Sequence, residues 1–423
     1  MRFSSPIQLF SQSDPCPTQL VFNLVKGIVG SGVLTLPAGI AAYGNAPSAA
    51  IPAVALIATF GVLSGYGFAL IGRVCHLTGT KSYRDAWSAT VGDSSSWIPA
   101  IAVMLKAVFC ILAYSMILGE TFQALCLTAG YSFTKSSVLL CITSLVLLPL
   151  CLLKNLSGLA PFSLLGSLGM LYTSIAMAIR YFGKSYSTSG KFVADLAPVL
   201  QPSFGKVGAS GVFNSKATIL IGMLSTAYMA HFNAPRIYAE MKERTIPNYI
   251  QVVSTSFGIS IAMFSAMAAM GFLTFGGSCS GLILNNYSVK DGLMSVSRLA
   301  VALSLVFSYP LAFVGARDGI LDLFKVKNRS GKVLNALTFG MLGCITAAAL
   351  NIPDVSFVLS LAGSTLGNML IYILPAFMFR GAIRQQANAT KWQNREVKLA
   401  LGSAALGLGM GVMGATKAIQ SVL

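Results

Sequence analysis

Long apolar runs separated by short polar connections fill the sequence from about residue 20 to residue 419. A helix that crosses the hydrocarbon core of a bilayer needs about 20 mostly apolar residues. Eleven runs are long enough, and we predict helices at 20–42, 48–72, 98–126, 136–153, 159–182, 216–238, 250–275, 293–315, 333–351, 355–379 and 397–419. The pattern predicts an all-α membrane protein with about eleven transmembrane helices behind a short cytosolic segment, 1–19.

The first and sixth runs are interrupted by small and polar residues near their middle. The interrupting residues are Gly27, Gly30 and Gly32 in the first run, then Gly222, Ser225, Thr226, Asn233 and Pro235 in the sixth. The two runs open successive groups of five helices, 20–182 and 216–379. Interrupted helices at matching positions are typical of a binding site built from an inverted repeat. Close helix packing is the alternative reason for such glycines.

Composition favours the bilayer and excludes several classes of protein. Only 10% of the residues are charged and mean hydropathy is +0.74, whereas soluble proteins carry about 25% charged residues. The net charge of +17 comes mostly from short basic clusters between apolar runs, not from a stripe interleaved with aromatics. Nucleic acid is therefore not an expected partner. The connections are short, so we expect one transmembrane domain, 20–419.

The basic clusters also predict an orientation. Most Lys and Arg residues fall in connections that would be cytosolic if the N-terminus is inside, as the positive-inside rule requires. The connection 180–216 is basic but would lie outside, in conflict with this assignment. Asn286 heads a glycosylation sequon in a predicted outer loop. The plasma membrane and a vacuolar or other internal membrane both remain open as the location.

No pattern of catalytic or metal-binding residues stands out. The eight cysteines form no CxxC pair and no zinc spacing with histidine, so we expect no metal and no cofactor. No phosphate loop, Ser-His-Asp set or carboxylate pair indicates an enzyme. Cys126 and Cys279 share the predicted outer side, and whether they pair is open.

Several segments in collinear order resemble one transporter family. They are FNLVKGIVGSGVLTLPAGI (22–40), LKAVFCILAYSMILGETF (105–122), AYMAHFNAPRIYAEMK (227–242), RLAVALSLVFSYPLAFVGARD (298–318) and SLAGSTLGNMLIYILPAFMF (360–379). The chain resembles the amino acid/auxin permease family of the APC superfamily, which includes the sodium-coupled neutral amino acid transporters. The resemblance implies the five-plus-five inverted repeat of the bacterial leucine transporter, with helices one and six broken, and an amino acid substrate.

The resemblance implies a substrate site around the two breaks. Free N–H groups at a half-helix start would bind a carboxylate, and Tyr228 would cover the site as an aromatic gate. The candidate substrate residues are Gly30, Ser31, Gly32, Tyr114, Gly222, Ser225, Thr226 and Tyr228. For the residues of the sixth helix, packing against helix one is the alternative, and Tyr114 could be a hydrogen-bonded packing residue.

Coupling depends most on Lys26, which stands where sodium-coupled members of the family carry an Asn that helps bind sodium. An ammonium there would repel sodium and could take its place, or the side chain could extend to the headgroups. The further coupling candidates are Gly27, Ser304, Ser308 and Glu120. Serines in helices also bond to their own backbone. Glu120 is a functional candidate because it is an intramembrane carboxylate, or it caps the interface.

These observations lead to two functional hypotheses. The first is a secondary transporter, a symporter that moves amino acids by alternating access and is proton-coupled or sodium-independent. The second is a membrane sensor that binds an amino acid without net transport. In both, the partners are an amino acid, a proton or sodium as coupling ion, and the lipid bilayer.

Overall fold

The computed structural model describes residues 16–153, 160–326 and 329–420. For residues 160–165 and 167 it describes the backbone only. Segment 1–15 lies outside these ranges, as do Asn155 and Asn328, which head two further Asn-x-Ser sequons of the sequence. The described chain is helical: α1 Pro17–Ile28, α2 Leu36–Ala41, α3 Ala50–Thr78, α4 Tyr83–Thr90, α5 Trp97–Thr128, α6 Lys135–Ile142, α7 Leu148–Leu152, α8 Ala160–Phe182, α9 Ala217–Ala227, α10 Ala234–Glu240, α11 Ile246–Phe275, α12 Gly292–Leu323, α13 Gly331–Asn351, α14 Val355–Ala362, α15 Leu374–Arg384 and α16 Lys391–Gln420.

The described residues contain eight helical segments that are long and apolar enough to cross a membrane, or nine with the bent pair α1–α2. The two halves of that pair meet at 43°. The remaining predicted runs, 159–182 and 216–238, coincide with α8 and with the short pair α9 and α10. The prediction of a multi-span, all-α membrane protein is confirmed. Of its eleven predicted segments, eight are long and apolar enough to cross a membrane, or nine if the bent pair α1–α2 counts as one span.

Several helices extend beyond the apolar runs that predicted them. Helix α12 continues to Leu323 and α16 begins at Lys391, because polar residues can continue a helix into the headgroup region. The predicted connection 73–97 contains α4, whose N-terminus is capped by the Ser82 hydroxyl accepting a hydrogen bond from the Asp85 N–H. Such a cap satisfies one of the N–H groups that a helix start leaves free.

Glycines allow the central helices to approach closely. A Cβ on Gly72 of α3 would lie 2.1 Å from Cε1 of Tyr249, and one on Gly61 would lie 2.3 Å from Cγ1 of Ile261, both on α11. Between α8 and α12, a Cβ on Gly166 would lie 2.2 Å from the Ser304 Oγ. Small residues are the usual means by which membrane helices pack at short distance.

A buried charge pair fixes the long connection between α8 and α9. Arg180 donates to both carboxylate oxygens of Asp291 at 2.8 and 2.7 Å, and the Tyr186 hydroxyl donates to Asp291 Oδ2 at 3.0 Å. The same carboxylate caps α12 by accepting from the Leu293 and Met294 N–H groups. Asp291 thus has a full set of donors. Its carboxylate also neutralises Arg180, the first basic residue of the connection 180–216, which conflicts with the predicted orientation.

The structure describes two features of the predicted outer connections, the sequon at Asn286 and the cysteines 126 and 279. Asn286 is fully buried, and its side chain donates to the Ser278 carbonyl and accepts from the Ser280 N–H. A glycan on this amide is incompatible with the fold, so we expect the sequon at Asn286 to remain unmodified. Cys126 and Cys279 are both free thiols, and burial raises the pKa of Cys279 above that of an ordinary thiol.

Removing the buried carboxylate should destabilise the protein strongly. Asp291→Ala leaves Arg180 without its partner and removes the cap of α12, so we expect a loss of about 3 kcal/mol or more. Asp195→Ala is the matched control, because Asp195 pairs with the exposed Lys290 and such pairs contribute less than about 1 kcal/mol. Thermal unfolding in detergent compares the two, and equal melting temperatures would contradict the assignment.

Candidate functional site

The first membrane segment is broken between Ile28 and Ser31. Val29 leaves helical geometry at φ −81°, ψ 90°, and Gly30 is extended at φ −118°, ψ −172°. A tight 3-10 turn over Ser31–Thr35 then leads into α2. The interruption is where KGIVGSG predicts it. Any residue can adopt the conformation of Gly30, and a Cβ there would meet no atom within 4 Å in the described chain. Neither the backbone nor the packing requires glycine here, but its lack of a side chain leaves this part of the break open.

The sixth segment is broken beside the first. Helix α9 ends at Ala227, Tyr228 and Ala230 leave helical geometry, and a 3-10 turn over His231–Asn233 leads into α10. A Cβ on Gly32 would lie 3.8 Å from the Ala227 Cα, and one on Gly27 would lie 3.9 Å from the Asn233 Nδ2. The residues of the two breaks are therefore neighbours.

A cavity of about 100 Å³ opens at the first break, between α1, α5, α8 and α12. This is space for several water molecules, since one needs about 10–15 Å³ of such volume. Six sequence-predicted residues line it: Lys26, Gly30, Ser31, Tyr114, Ser304 and Ser308. Four helices that are distant in sequence thus bring together the coupling candidates Lys26, Ser304 and Ser308. The same cavity contains the substrate-binding candidates Gly30, Ser31 and Tyr114.

Four polar side chains of this cavity have no partner among the described residues. Within the described ranges, no hydrogen bond or ion pair joins the Lys26 ammonium or the hydroxyls of Ser31, Ser304 and Ser308 to another group. Helical serines commonly bond to the preceding turn, as Ser256 and Ser260 do in α11. Ser304 and Ser308 instead leave their hydroxyls available to a ligand, and no described lining residue is a carboxylate.

The remaining lining residues did not stand out in the sequence. They are Val29, Gly166, Met170, Val301 and Leu305. Four are apolar side chains whose place follows only from how the helices pack. Gly166 belongs to the LLGSLG stretch of α8, and its glycine spacing was the one available signal. It admits Ser304 to the cavity wall, since any side chain at this position would displace the serine.

The candidates from the sixth segment lie away from this cavity and face the tenth. The Ser225 hydroxyl donates to Asn368 Oδ1 at 2.8 Å, and the Thr226 hydroxyl donates to the Leu359 carbonyl at 2.5 Å. Gly222 packs so closely that a Cβ would lie 2.5 Å from the Ser364 Oγ. These contacts join α9 to α14 and to the residues 363–368 that follow it, so the structure does not bring the predicted partner stretch to the cavity.

Tyr228 and Glu120 also have other neighbours. Tyr228 is buried, its hydroxyl donates to the Ile57 carbonyl at 3.1 Å, and its ring packs on Phe264. It does not cover the cavity as a gate in this conformation. Glu120 accepts from Lys135 Nζ at 2.7 Å and from Asn285 Nδ2 at 2.8 Å. Its carboxylate links three segments, which satisfies the charge without a coupling ion.

Two spans broken side by side, with a polar cavity at one break, define a membrane transporter built on interrupted helices. Solved structures share the architecture. MhsT in complex with L-phenylalanine aligns with a TM-score of 0.56 and 11% identity, covering 94% of this chain and 98% of that one. The inward-facing conformation of Mhp1 aligns at 0.57 and 11% identity, covering 99% and 93%. The fold is that of the bacterial leucine transporter, as the resemblance implied.

The sequence identifies the family. Residues 16–420 match the family model described as transmembrane amino acid transporter protein, and the chain belongs to this family. "Putative sodium-coupled neutral amino acid transporter 11" of Mus musculus is 24% identical over 363 residues, 84% of this chain and 76% of that protein. The protein of the same name from Danio rerio is 26% identical over 368 residues, 85% and 77%. The chain is an amino acid transmembrane transporter, not an enzyme.

Filling the cavity from Gly30 should stop transport without unfolding the protein. Gly30→Val fits the backbone, and its methyl groups would enter the cavity, so amino acid uptake should fall at least about tenfold. Gly258→Val is the matched control, because Gly258 on the exposed face of α11 also has open space at its Cβ. Uptake into proteoliposomes and the melting temperature are measured for both. Normal uptake by Gly30→Val would exclude the cavity from the substrate path.

Proposed function

We propose that this protein is a secondary active transporter that moves neutral amino acids by alternating access, independently of sodium and linked to protons. The single observation that carries the proposal is the Lys26 ammonium at the cavity of the broken first segment. The relatives named above are described as sodium-coupled and as transporters of neutral amino acids. We adopt their substrate class and depart from their coupling ion.

Electrostatics supports this departure. We take a separation of about 5 Å between the ammonium and a cation in the cavity as an order-of-magnitude value for Coulomb's law. At that separation and an effective dielectric constant of ~20, two like charges repel by about 3 kcal/mol. This corresponds to about two orders of magnitude in affinity. The charged form of Lys26 therefore disfavours sodium and supplies a positive charge of its own between α1 and α12.

A lysine differs from a bound sodium ion because it can gain and lose a proton in place. In the charged form, the ammonium can engage groups on the α12 side of the cavity, where Ser304 and Ser308 offer their oxygens. After loss of the proton this attraction weakens, and α1 is freer to move relative to α12. A proton gradient can then bias the two states, since each proton bound or released shifts their populations.

The breaks supply the moving parts for such a cycle. Helices α1 and α10 are the halves on the predicted cytosolic side, and each is separated from the rest of its span by nonhelical residues. Backbone at such positions can absorb a change in angle without disrupting a continuous helix. Rotation of these halves around the cavity would open it to one side of the membrane at a time.

Exchanging the lysine should alter the coupling. In Lys26→Asn we expect the dependence of uptake on external acidification to weaken by about tenfold or more, with a sodium requirement appearing because the repulsion is gone. Lys332→Asn removes the same charge from the exposed start of α13 and serves as control. Uptake is measured in proteoliposomes with and without sodium at matched pH gradients. A sodium requirement already present in the wild type would contradict the proposal.

The sensor alternative is tested with the unmodified protein. A transporter accumulates labelled neutral amino acids in proteoliposomes when the outside is acidic, whereas a sensor binds them without accumulation. We expect accumulation that collapses when a protonophore removes the pH gradient. Binding that stabilises the protein, together with no uptake under any gradient, would favour the sensor.

A further inference from the structure

A second cavity, of about 190 Å³, lies where the end of α3 meets α10. The chain turns back after α3 because Gly79 adopts a left-handed conformation, with φ +70°, which favours glycine. This turn places Thr80 and Lys81 in one wall, and Tyr238 and Arg244 belong to the opposite wall. The cavity has no described lining residue in common with the cavity at the first break.

Hydrogen bonds among the lining residues leave cationic donors available to a ligand. The Tyr238 hydroxyl donates to the Arg244 carbonyl at 2.8 Å, so its oxygen accepts from His76 Nδ1 at 2.7 Å. Nδ1 therefore carries a hydrogen, and Nε2 is the ring nitrogen left for a ligand. Arg244 donates from Nη2 to the Ala239 carbonyl at 2.8 Å. Within the described chain, its other N–H groups and the Lys81 ammonium have no partner.

Nearby negative charge does not cancel these cations. No described lining residue is a carboxylate. Of the two carboxylates nearest in sequence to the second wall, Glu240 pairs with Arg236, and Glu243 is exposed outside the cavity lining. The carboxyl ends of α3 and α10 meet here, and each carries at most roughly half a unit of negative charge. They offset about one of the two charges of Lys81 and Arg244, so the cavity keeps a net positive charge.

We propose that this cavity binds the phosphate monoester of an anionic lipid headgroup, with Lys81 and Arg244 paired to its oxygens and His76 as a further donor. A phosphate monoester carries a charge of about −1.5 to −2 and has three strong acceptor oxygens, and arginine can engage two of them at once. A carboxylate would leave one cation unpaired. The volume of about 190 Å³ is below the roughly 300–1,000 Å³ of common small-molecule sites, which suits a single headgroup phosphate.

The position of the cavity indicates that the phosphate belongs to a lipid. The span Pro47–Thr78 ends at the cavity, and the span Ile246–Phe275 begins just after Arg244. The ends of spans lie at the level of the headgroups. Both connections lie on the side predicted to be cytosolic, and basic pockets between helices on that side are typical sites for anionic headgroups. Leu77, next to His76, is exposed and offers apolar surface that an acyl chain can cover.

The test measures binding to the purified full-length protein in a neutral detergent, so it does not depend on transport. Melting temperature is followed with three lipids that share dioctanoyl chains: phosphatidic acid, phosphatidylcholine and diacylglycerol. Inorganic phosphate at equal concentrations is the soluble comparison. We expect phosphatidic acid to stabilise the protein, the other two lipids to have no effect, and inorganic phosphate to act only at higher concentration. No response to phosphatidic acid would overturn the proposal, and an equal response to inorganic phosphate would overturn the assignment to a lipid.

Variants decide whether the response belongs to this cavity. Lys81→Gln should weaken the apparent affinity for phosphatidic acid about tenfold, the effect of losing one charged hydrogen bond. Lys242→Gln is the matched control, because Lys242 is exposed in the connection that carries Arg244 but does not line the cavity. It should match the wild type. Equal weakening by both variants would indicate general attraction to the basic surface and overturn the site. A protein that binds phosphatidic acid in this way but takes up no amino acid would refute only the proposed function.

Discussion

The proposed mechanism of this transporter depends on the Lys26 ammonium. This group has no partner among the described residues and lies beside a small cavity between α1 and α12. Charge placed in a membrane protein away from water is costly unless it is compensated, and such residues usually serve a function. Elsewhere in the described chain the compensation is internal: Arg180 has Asp291, Lys135 has Glu120, and Arg73 has Glu396. Lys26 has no such partner among the described residues and is only partly buried, so water or a ligand in the cavity must compensate its charge.

The rest of the fold positions this group. Glycines on α3 allow α11 to pack closely against α3, and glycines on α8 allow α12 to pack closely against α8. Among them, Gly166 brings Ser304 to the cavity wall. The carboxylate of Asp291 fixes the N-terminus of α12 and the long connection from α8. On the sixth span, hydrogen bonds from Ser225 and Thr226 tie α9 to the tenth. Helix α9 is thus anchored, while α1 carries Lys26 in its last turn, just before the break of the first segment.

The sequence was sufficient for the architecture and for the first break. Hydropathy located the helical segments because the bilayer sets both their length and their polarity, and the KGIVGSG stretch located the interruption. The sequence also indicates Lys26, Tyr114, Ser304 and Ser308 as candidates, but it does not show that they line one cavity. The roles of the sixth segment could not be inferred from residue type, since a hydroxyl on a helix can face a ligand or a neighbouring helix. Asn286 shows the same limit, because a sequon does not reveal burial.

Movement of protons with the amino acid tests the central claim most directly. A pH-sensitive dye enclosed in proteoliposomes reports the lumenal pH when an amino acid is added outside in sodium-free buffer, with the membrane potential clamped. If protons enter with the amino acid, the lumen acidifies when the amino acid is added, and liposomes without protein show no such change. Amino acid uptake without acidification, obtained only when sodium is present, would contradict the claim.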